Sequence, residues 1–292
     1  MHIRFFSRLK PFLLFKISLI IVVLVAFRMA QEPSASQIVY EMFTKTKEIK
    51  SMIYTMQKKE RINGEMQSQE STVKLNLNPF MMYLRQKAPK DGLEVLYKQG
   101  ENDNKAVINT NGFPWMNVSL DPMGDVMRNN QHHTVYQSGY AHLMSILEHL
   151  ILKYQKELEV IMVKKNSIVW EGQDCWVIVF TNPHFHFYKH TMRAGESILG
   201  IATKEKLSEH MIMERNPTLK SFTDVKAGQV IELPNDYSSK LELYIEKNRM
   251  IPLVMKVYDN QGLYEYYEYN NVKLNPTFDS NDFNKDNPNY GF

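Results

Sequence analysis

The histidines of this chain are candidates for chemistry because of their spacing. In the run PHFHFYKH, His184, His186, Tyr188 and His190 alternate with phenylalanine or lysine, and a strand would place these four side chains on one face. An H-x-H pair on a strand can give two ligands to zinc, but the spacing identifies no third ligand. An ordinary polar strand face explains the same pattern, and we therefore predict no metal site.

The sequence gives no positive support for catalysis. It contains no G-x-S-x-G nucleophile motif, no phosphate-binding P-loop and no dinucleotide-binding fingerprint. Cys175 is the one cysteine, which excludes an internal disulfide and a cysteine-based metal cluster. Its apolar neighbours favour a position in the core. We expect a protein that is not an enzyme and that needs no cofactor.

Methionines and aromatic residues form a second group with a chemical meaning. The chain has 18 methionines, whose flexible thioethers can line a cavity that accepts acyl chains of varied shape. The same side chains can equally fill gaps in a closed core. The candidates for lining a lipid cavity are Phe80, Met82, Trp115, Met116 and Leu147.

Short alternating runs separated by turn residues predict an antiparallel sheet that would position these side chains. Ser34 and Gln37 form a capping-box pattern that opens a helix over about 35–50. An amphipathic helix over about 140–158 is suited to cover one face of the sheet. The strands predicted between the two helices are 52–61, 67–77, 80–86, 93–98, 105–110 and 115–120.

A further meander over 240–283 carries a family resemblance. It contains Ile251-Pro252 at the start of a strand, the turn Asp259-Asn260-Gln261-Gly262, the closing run YNNVKLN, and Asp279 four residues before Phe283. This order resembles the end of a periplasmic lipoprotein-carrier domain and, more narrowly, a bacterial family of unknown function in that superfamily. The resemblance implies an incomplete barrel wrapped around helices and open to an apolar cavity. An ordinary one-sided antiparallel sheet stays open as the alternative.

The segment 188–237 reads as strand, helix, helix, strand. It resembles the lysin motif, a small carbohydrate-binding module, at Gly195-Glu196-Ser197-Ile198, at Ile201-Ala202, at Asn216-Pro217 and over 225–234. An unrelated helical excursion is the alternative. In such a module the first and last strands pair, so it can replace a hairpin turn in a host sheet.

The lysin-motif resemblance implies a groove for N-acetylglucosamine-containing glycan. Ile198 would contact the methyl group of the acetamide, whereas Asn216 suits a helix-terminating role equally well. The residues that the resemblance assigns to the groove are Gly195, Glu196, Ser197, Ile198, Asn216, Pro217, Thr218 and Leu219.

Residues 1–30 have the pattern of an export leader. Five basic residues and no acidic residue accompany the apolar run 17–27, which fits a signal peptide and, as the second interpretation, a retained inner-membrane anchor. No cysteine follows the run, so the acceptor residue of bacterial lipoproteins is missing. The remainder has 30 basic and 32 acidic residues, a balance that gives no electrostatic footprint for nucleic acid.

The sequence as a whole predicts an α+β fold, with a curved antiparallel half-barrel sheet packed on helices and a small inserted β-α-α-β module. The half-barrel domain would comprise 31–187 and 238–292, and the module 188–237. We expect a periplasmic or cell-envelope protein that carries or senses a lipid or lipoprotein acyl chain and docks on peptidoglycan. The alternatives are a structural or adaptor protein with a closed core and, third, an envelope hydrolase.

Overall fold

The computed structural model describes residues 32–292. The predicted leader, residues 1–30, lies outside the described residues. Within 32–292, no helix combines the length and the apolar character that crossing a membrane requires.

Helix α1 begins where the sequence predicts. The Ser34 hydroxyl accepts a hydrogen bond from the Gln37 amide while the Gln37 side chain accepts one from the Ser34 amide, so two amides that have no partner inside the helix are satisfied. The helices are α1 Ala35–Lys47, α2 Asp125–Arg128, α3 Ala141–Lys153, α4 Leu158–Ile161, α5 Ile198–Glu205 and α6 Glu209–Arg215, with short 3₁₀ helices at Asn102–Asn104 and Val135–Gln137.

Eleven strands of the described chain form one open antiparallel sheet in the order β6-β5-β4-β3-β2-β1-β13-β12-β11-β8-β7. Most neighbours in this order are joined by short turns, as the alternating sequence predicts. The strands are β1 Ser51–Ile62, β2 Glu65–Leu77, β3 Phe80–Ala88, β4 Glu94–Lys98, β5 Ala106–Asn109, β6 Val118–Leu120, β7 Met162–Trp170, β8 Gln173–Thr181, β11 Lys240–Glu246, β12 Pro252–Asp259 and β13 Gly262–Leu274.

The two edges of this sheet are short or irregular. Strand β6 has three residues. Strand β7 carries a bulge between Lys165 and Ile168, and the ammonium of Lys164 contacts Glu32 at 2.8 Å. Both edges therefore present few regularly spaced backbone groups.

Helices α1 and α3 cover the concave face of the sheet. Helix α1 buries Ile38 and Met42, and α3 buries Ile146, Leu147 and Leu150, all within one apolar core that includes the inward side chains of the sheet. The i, i+4 spacing of these residues places them on one side of each helix. The predicted α+β fold with a half-barrel sheet packed on helices is confirmed.

The chain after β13 crosses the opposite, convex face of the sheet. Tyr290 stacks on Tyr83 with ring centroids 3.7 Å apart, and Phe283 is buried beside Leu96. Neighbouring residues along a strand face opposite sides, so Tyr83 points away from the core that contains Met82. The C-terminal segment therefore gives these outer strands a second apolar layer.

The segment between β8 and β11 forms the β-α-α-β module. Strand β9, Phe187–Thr191, pairs antiparallel with β10, Val230–Pro234, and helices α5 and α6 lie between them in sequence. Lys240 lies opposite Thr181, so the chain leaves and re-enters the large sheet at neighbouring positions. The boundaries at 188 and 237 stay a prediction.

Candidate functional site

A cavity of about 190 Å³ lies between the concave face of β1–β4 and β13 and the segment that precedes and begins α3. This volume is below the ~300–1,000 Å³ of typical small-molecule sites. Three of the lining side chains are methionines, whose rotation can change the size of the space. The apolar lining comprises Tyr54, Met56, Val73, Met82, Leu84, Leu93, Val95, Met127, Val135, Leu143, Tyr267 and Tyr269.

One wall of the cavity is the cover segment, which we define as residues 125–139. Its end is fixed against the sheet, because the Tyr269 hydroxyl donates to the Gly139 carbonyl at 3.0 Å. Gly139 has a positive φ of 79°, and a Cβ there would lie 2.8 Å from a Leu75 methyl group. Only glycine allows the backbone to turn this close to the sheet.

The cavity has a charged end on β1. The Lys58 ammonium lies 3.1 Å from a Glu60 carboxylate oxygen and 3.2 Å from the Gln131 amide oxygen. Burial alone would raise the pKa of Glu60, but Lys58, His132 and His133 together lower it to about 2. The carboxylate therefore stays ionised, and the cavity combines apolar walls with an ion pair.

A buried polar cluster lies behind this ion pair. His132 Nδ1 is 2.8 Å from Glu265 Oε1, and His132 Nε2 is 3.0 Å from the Arg61 carbonyl oxygen. Both ring nitrogens face acceptors, so each carries a proton and the ring is an imidazolium. Burial alone would lower the pKa of His132, but the hydrogen bond and charge of Glu265 outweigh it and raise the pKa. The Tyr237 hydroxyl also donates to Glu265, at 2.9 Å.

The cover segment also contacts the module. The buried Arg128 guanidinium donates to Glu209 at 2.7 Å, and its carbon lies 4.0 Å from the centroid of the Phe222 ring. His210 Nε2 lies 3.2 Å from the Arg128 carbonyl oxygen. Burial lowers the pKa of His210 to about 4, so its ring is neutral and donates to that carbonyl. The same short segment thus touches the cavity on one side and the module on the other.

Sequence reasoning missed the charged residues of this site. A usable signal exists in β13, where Glu265 has the same strand parity as the buried Tyr267 and Tyr269. Parity alone would have placed Glu265 on the inner face. No such pattern marks the cover segment, which has little regular secondary structure.

The predicted lipid-cavity residues are dispersed. Met82 lines the cavity, whereas Phe80 packs on the rings of two tyrosines and Leu147 lies in the core. The prediction that Trp115 and Met116 line the cavity is wrong, because both are exposed. The strand predicted over 115–120 begins only at β6, and the residues before it form a loop held by the bond from the Trp115 amide to the Gly112 carbonyl.

The amino-acid residues predicted to bind glycan do not lie together either. Ile198 is fully buried in the module core, and Leu219 is nearly so, so the expected contact of Ile198 with a sugar methyl group is wrong. The Asn216 amide donates to the Ile212 and Glu232 carbonyls and accepts from the Glu232 amide. These three bonds fit the helix-terminating role for Asn216.

The two predicted loops border different surface depressions. Gly195, Glu196 and Ser197 line one of about 370 Å³ together with Tyr188. Pro217 and Leu219 line another of about 630 Å³, which also includes Arg128 of the half-barrel. Thr218 is exposed and lines neither of the two. The loops therefore do not form one groove.

The histidine run does not share one strand face. Strand β9 begins only at Phe187, His184 stacks on Tyr154 and contacts Glu157, and His190 contacts Glu196. Across residues 32–292, no three histidine, cysteine, aspartate or glutamate side chains come together in a way that could hold a metal ion.

Fold and site define the class: an α+β protein whose open antiparallel sheet curves over an amphipathic cavity. The chain belongs to the DUF1571 family of proteins of unknown function, which it matches over residues 49–198 and 200–292. The match runs through the module as well as the half-barrel. No curated protein matches the chain.

Several solved structures resemble the chain at low sequence identity. The Mycobacterium tuberculosis lipoprotein LppX has a TM-score of 0.41 and 11% identity, covering 85% of this chain and 99% of LppX. A putative outer membrane lipoprotein-sorting protein domain from Vibrio parahaemolyticus gives 0.34 and 11%, covering 86% and 96%. A LolA superfamily protein from Nitrosomonas europaea gives 0.32 and 10%, covering 87% and 99%. These values do not assign a function to the chain.

Proposed function

We propose that this protein is a non-catalytic binding protein of the cell envelope that holds the acyl part of a lipid or lipoprotein in the cavity. The observation that carries the proposal is the composition of the cavity wall: twelve of its 23 residues are aliphatic, methionine or tyrosine, and the others include polar side chains and one ion pair. Burial of an acyl chain against such a wall removes apolar surface from water, at ~25 cal/mol per Å².

The small volume of the cavity limits how the ligand enters. At about 190 Å³, the space is similar to a ~150 Å³ apolar cavity that accepts a benzene molecule, so a long acyl chain requires the methionines or the cover segment to move. The ion pair at the end favours a ligand with a polar head beside Lys58 and Glu60. We therefore expect binding to shift these elements without unfolding the sheet.

Location and docking are part of the same proposal. The basic and apolar leader in the sequence supports export, and the resemblance of the module to the lysin motif is the basis for a docking role. Of the residues assigned to a peptidoglycan site, Gly195, Glu196 and Ser197 share one surface depression. Sedimentation with purified peptidoglycan, competed by N-acetylglucosamine oligomers, tests that docking.

The cavity is tested by filling it. We expect Met82→Trp to lower the affinity for a fluorescent fatty acid by at least about tenfold, because the indole occupies the space that the ligand needs. Met66→Trp makes the same change at an exposed position of β2 and should leave the affinity unchanged. Circular dichroism of both variants checks that the sheet is intact.

The competing function, an adaptor with a closed core, predicts different results. Native mass spectrometry of the purified chain would then detect no co-purifying lipid, and the fluorescent fatty acid would bind neither the wild type nor the variants. Equal affinity in the wild type and in Met82→Trp would also contradict the proposed cavity.

A further inference from the structure

The connection between β5 and β6 displays large apolar side chains to solvent. We name residues 110–117 the aromatic loop. Phe113 is 83% exposed, Trp115 81% and Met116 66%. The loop is hydrogen-bonded: the Trp115 amide donates to the Gly112 carbonyl at 2.6 Å, and the Thr110 hydroxyl lies 3.0 Å from the carbonyls of Gly112 and Phe113. Its backbone therefore holds the side chains outward.

The aromatic loop lies beside one end of the cavity. The Asn111 side-chain amide donates to the Asp91 carbonyl at 3.1 Å, which joins the loop to the turn between β3 and β4. Gln86 and Leu93, which flank that turn, both line the cavity. A ligand that enters at this end of the sheet passes close to the exposed side chains.

The apolar area and the lack of charge in the aromatic loop indicate which kind of surface it contacts. Phe and Trp each bury about 150–250 Å² when covered, so the three side chains fall short of the ~800 Å² per partner of a stable protein interface. A bilayer needs no matching surface, and Trp is enriched at membrane–water interfaces. Residues 106–120 contain no charged residue to oppose insertion.

Charge next to the loop is suited to lipid phosphate. The Lys90 ammonium lies against Gly112, while the nearby Asp91 is paired with Arg85 at 2.9 Å. The Lys90 ammonium thus lies directly beside the aromatic loop. An interfacial segment of this kind combines apolar burial with attraction to anionic headgroups.

We propose that the aromatic loop inserts into the interfacial region of a lipid bilayer and holds the adjacent end of the cavity at the membrane surface. The insertion stands on the exposure, composition and position of the loop, and its use for transferring an acyl chain rests on the proposed function. Phe113, Trp115 and Met116 enter the acyl region, and Lys90 faces the phosphates.

The test uses the full chain with Trp115 as its one tryptophan, through Trp170→Phe and Trp176→Phe. Vesicles contain phosphatidylethanolamine and phosphatidylglycerol in equal parts, with bromine on the acyl chains as a quencher. We expect the Trp115 emission to shift to shorter wavelength and to be quenched. Phe113→Ser combined with Met116→Ser should weaken this response by about tenfold, because most of the buried apolar area is lost.

The matched control places the single tryptophan at another position of the chain. Tyr40→Trp, on an exposed face of α1, in a background without the other tryptophans reports any contact made through another part of the chain, including the leader. Quenching at Trp115 but not at position 40 supports the proposal. Three outcomes overturn the proposal: equal quenching at both positions, no response at Trp115, and a change in Trp115 emission that follows protein concentration and does not need vesicles. If Trp115 responds but no fatty acid binds, insertion stands and the proposed cavity function fails.

Discussion

The half-barrel and the module bury different kinds of residue. The half-barrel encloses Glu60, His132 and Glu265 with almost no exposure. The module packs apolar residues such as Ile198 and Ile212 at its centre, and its buried polar residues lie where it meets the half-barrel: Ser208 contacts Tyr264, Glu209 contacts Arg128 and Asp236 contacts Lys153. Charges buried in pairs are seldom the most stable choice for a core, whereas apolar packing is. The difference indicates that the module core serves stability, while the charges of the half-barrel are retained beside a cavity.

The largest expected effect is in the half-barrel. Glu265→Gln removes the anion that faces the buried imidazolium of His132, and we expect a loss of about 3–5 kcal/mol in the free energy of unfolding, as for other buried pairs that lose one partner. Urea denaturation followed by tryptophan fluorescence measures it. The same change at the exposed Glu65 should stay within ~0.5 kcal/mol; equal stability of the two variants would remove the basis of the comparison.

An intermediate effect is expected in the module. Ile198→Ala creates a cavity among fully buried side chains, at a cost of about 3 kcal/mol. Ile201→Ala, at a partly buried position of the same helix, should cost less than half as much. Because no charge is involved, urea denaturation at pH 5 and at pH 7 should give the same difference for Ile198→Ala. A strong pH dependence would contradict an apolar role.

The smallest effect concerns the contact between the two regions. His210 has a pKa of about 4 in the folded protein against ~6.5 when unfolded. As the pH falls below 6.5 the unfolded state takes up a proton that the folded state excludes, so stability falls by ~1.4 kcal/mol per pH unit. His210→Gln keeps a donor for the Arg128 carbonyl and removes this loss, so we expect a gain of about 2 kcal/mol relative to the wild type between pH 6.5 and 5.

The neighbouring His132 acts in the opposite direction. Its folded pKa is raised, so its stabilisation is complete below ~6.5 and is lost as the pH rises through the folded value. Urea denaturation of the wild type and His210→Gln over a pH series separates the two histidines. Parallel pH profiles for the two proteins would show that His210 is not excluded from protonation.

The sequence pattern predicts most of the fold, because the alternation of apolar and polar residues and the positions of turn residues are local signals. The strands up to β5 and the meander 240–274 follow the predicted runs closely. The helix predicted over 140–158 is interrupted, with α3 ending at Lys153 and α4 covering only Leu158–Ile161. Hydrophobic spacing alone does not reveal where a helix breaks, since packing decides it.

The site was less predictable because it depends on contacts between distant segments. Met82 could be recognised from its type, but the pairing of Arg128 with Glu209 joins residues 81 positions apart. Its place in the motif assigns Ile198 to a ligand, although its i, i+4 spacing with Ala202 equally predicts a core position. Local patterns predicted the order of elements in the module, whereas the roles of its side chains depend on packing.

The open edges of the large sheet have a consequence for solubility. A sheet that stays open to curve over a cavity leaves unpaired backbone groups at both sides, which can template aggregation with another chain. Here β6 offers three residues, and β7 interrupts its ladder with a bulge beside Lys164 and Lys165. Short length, irregular spacing and charge each oppose the addition of a further strand. The chain can thus keep its sheet unclosed over the cavity without polymerising through the edges.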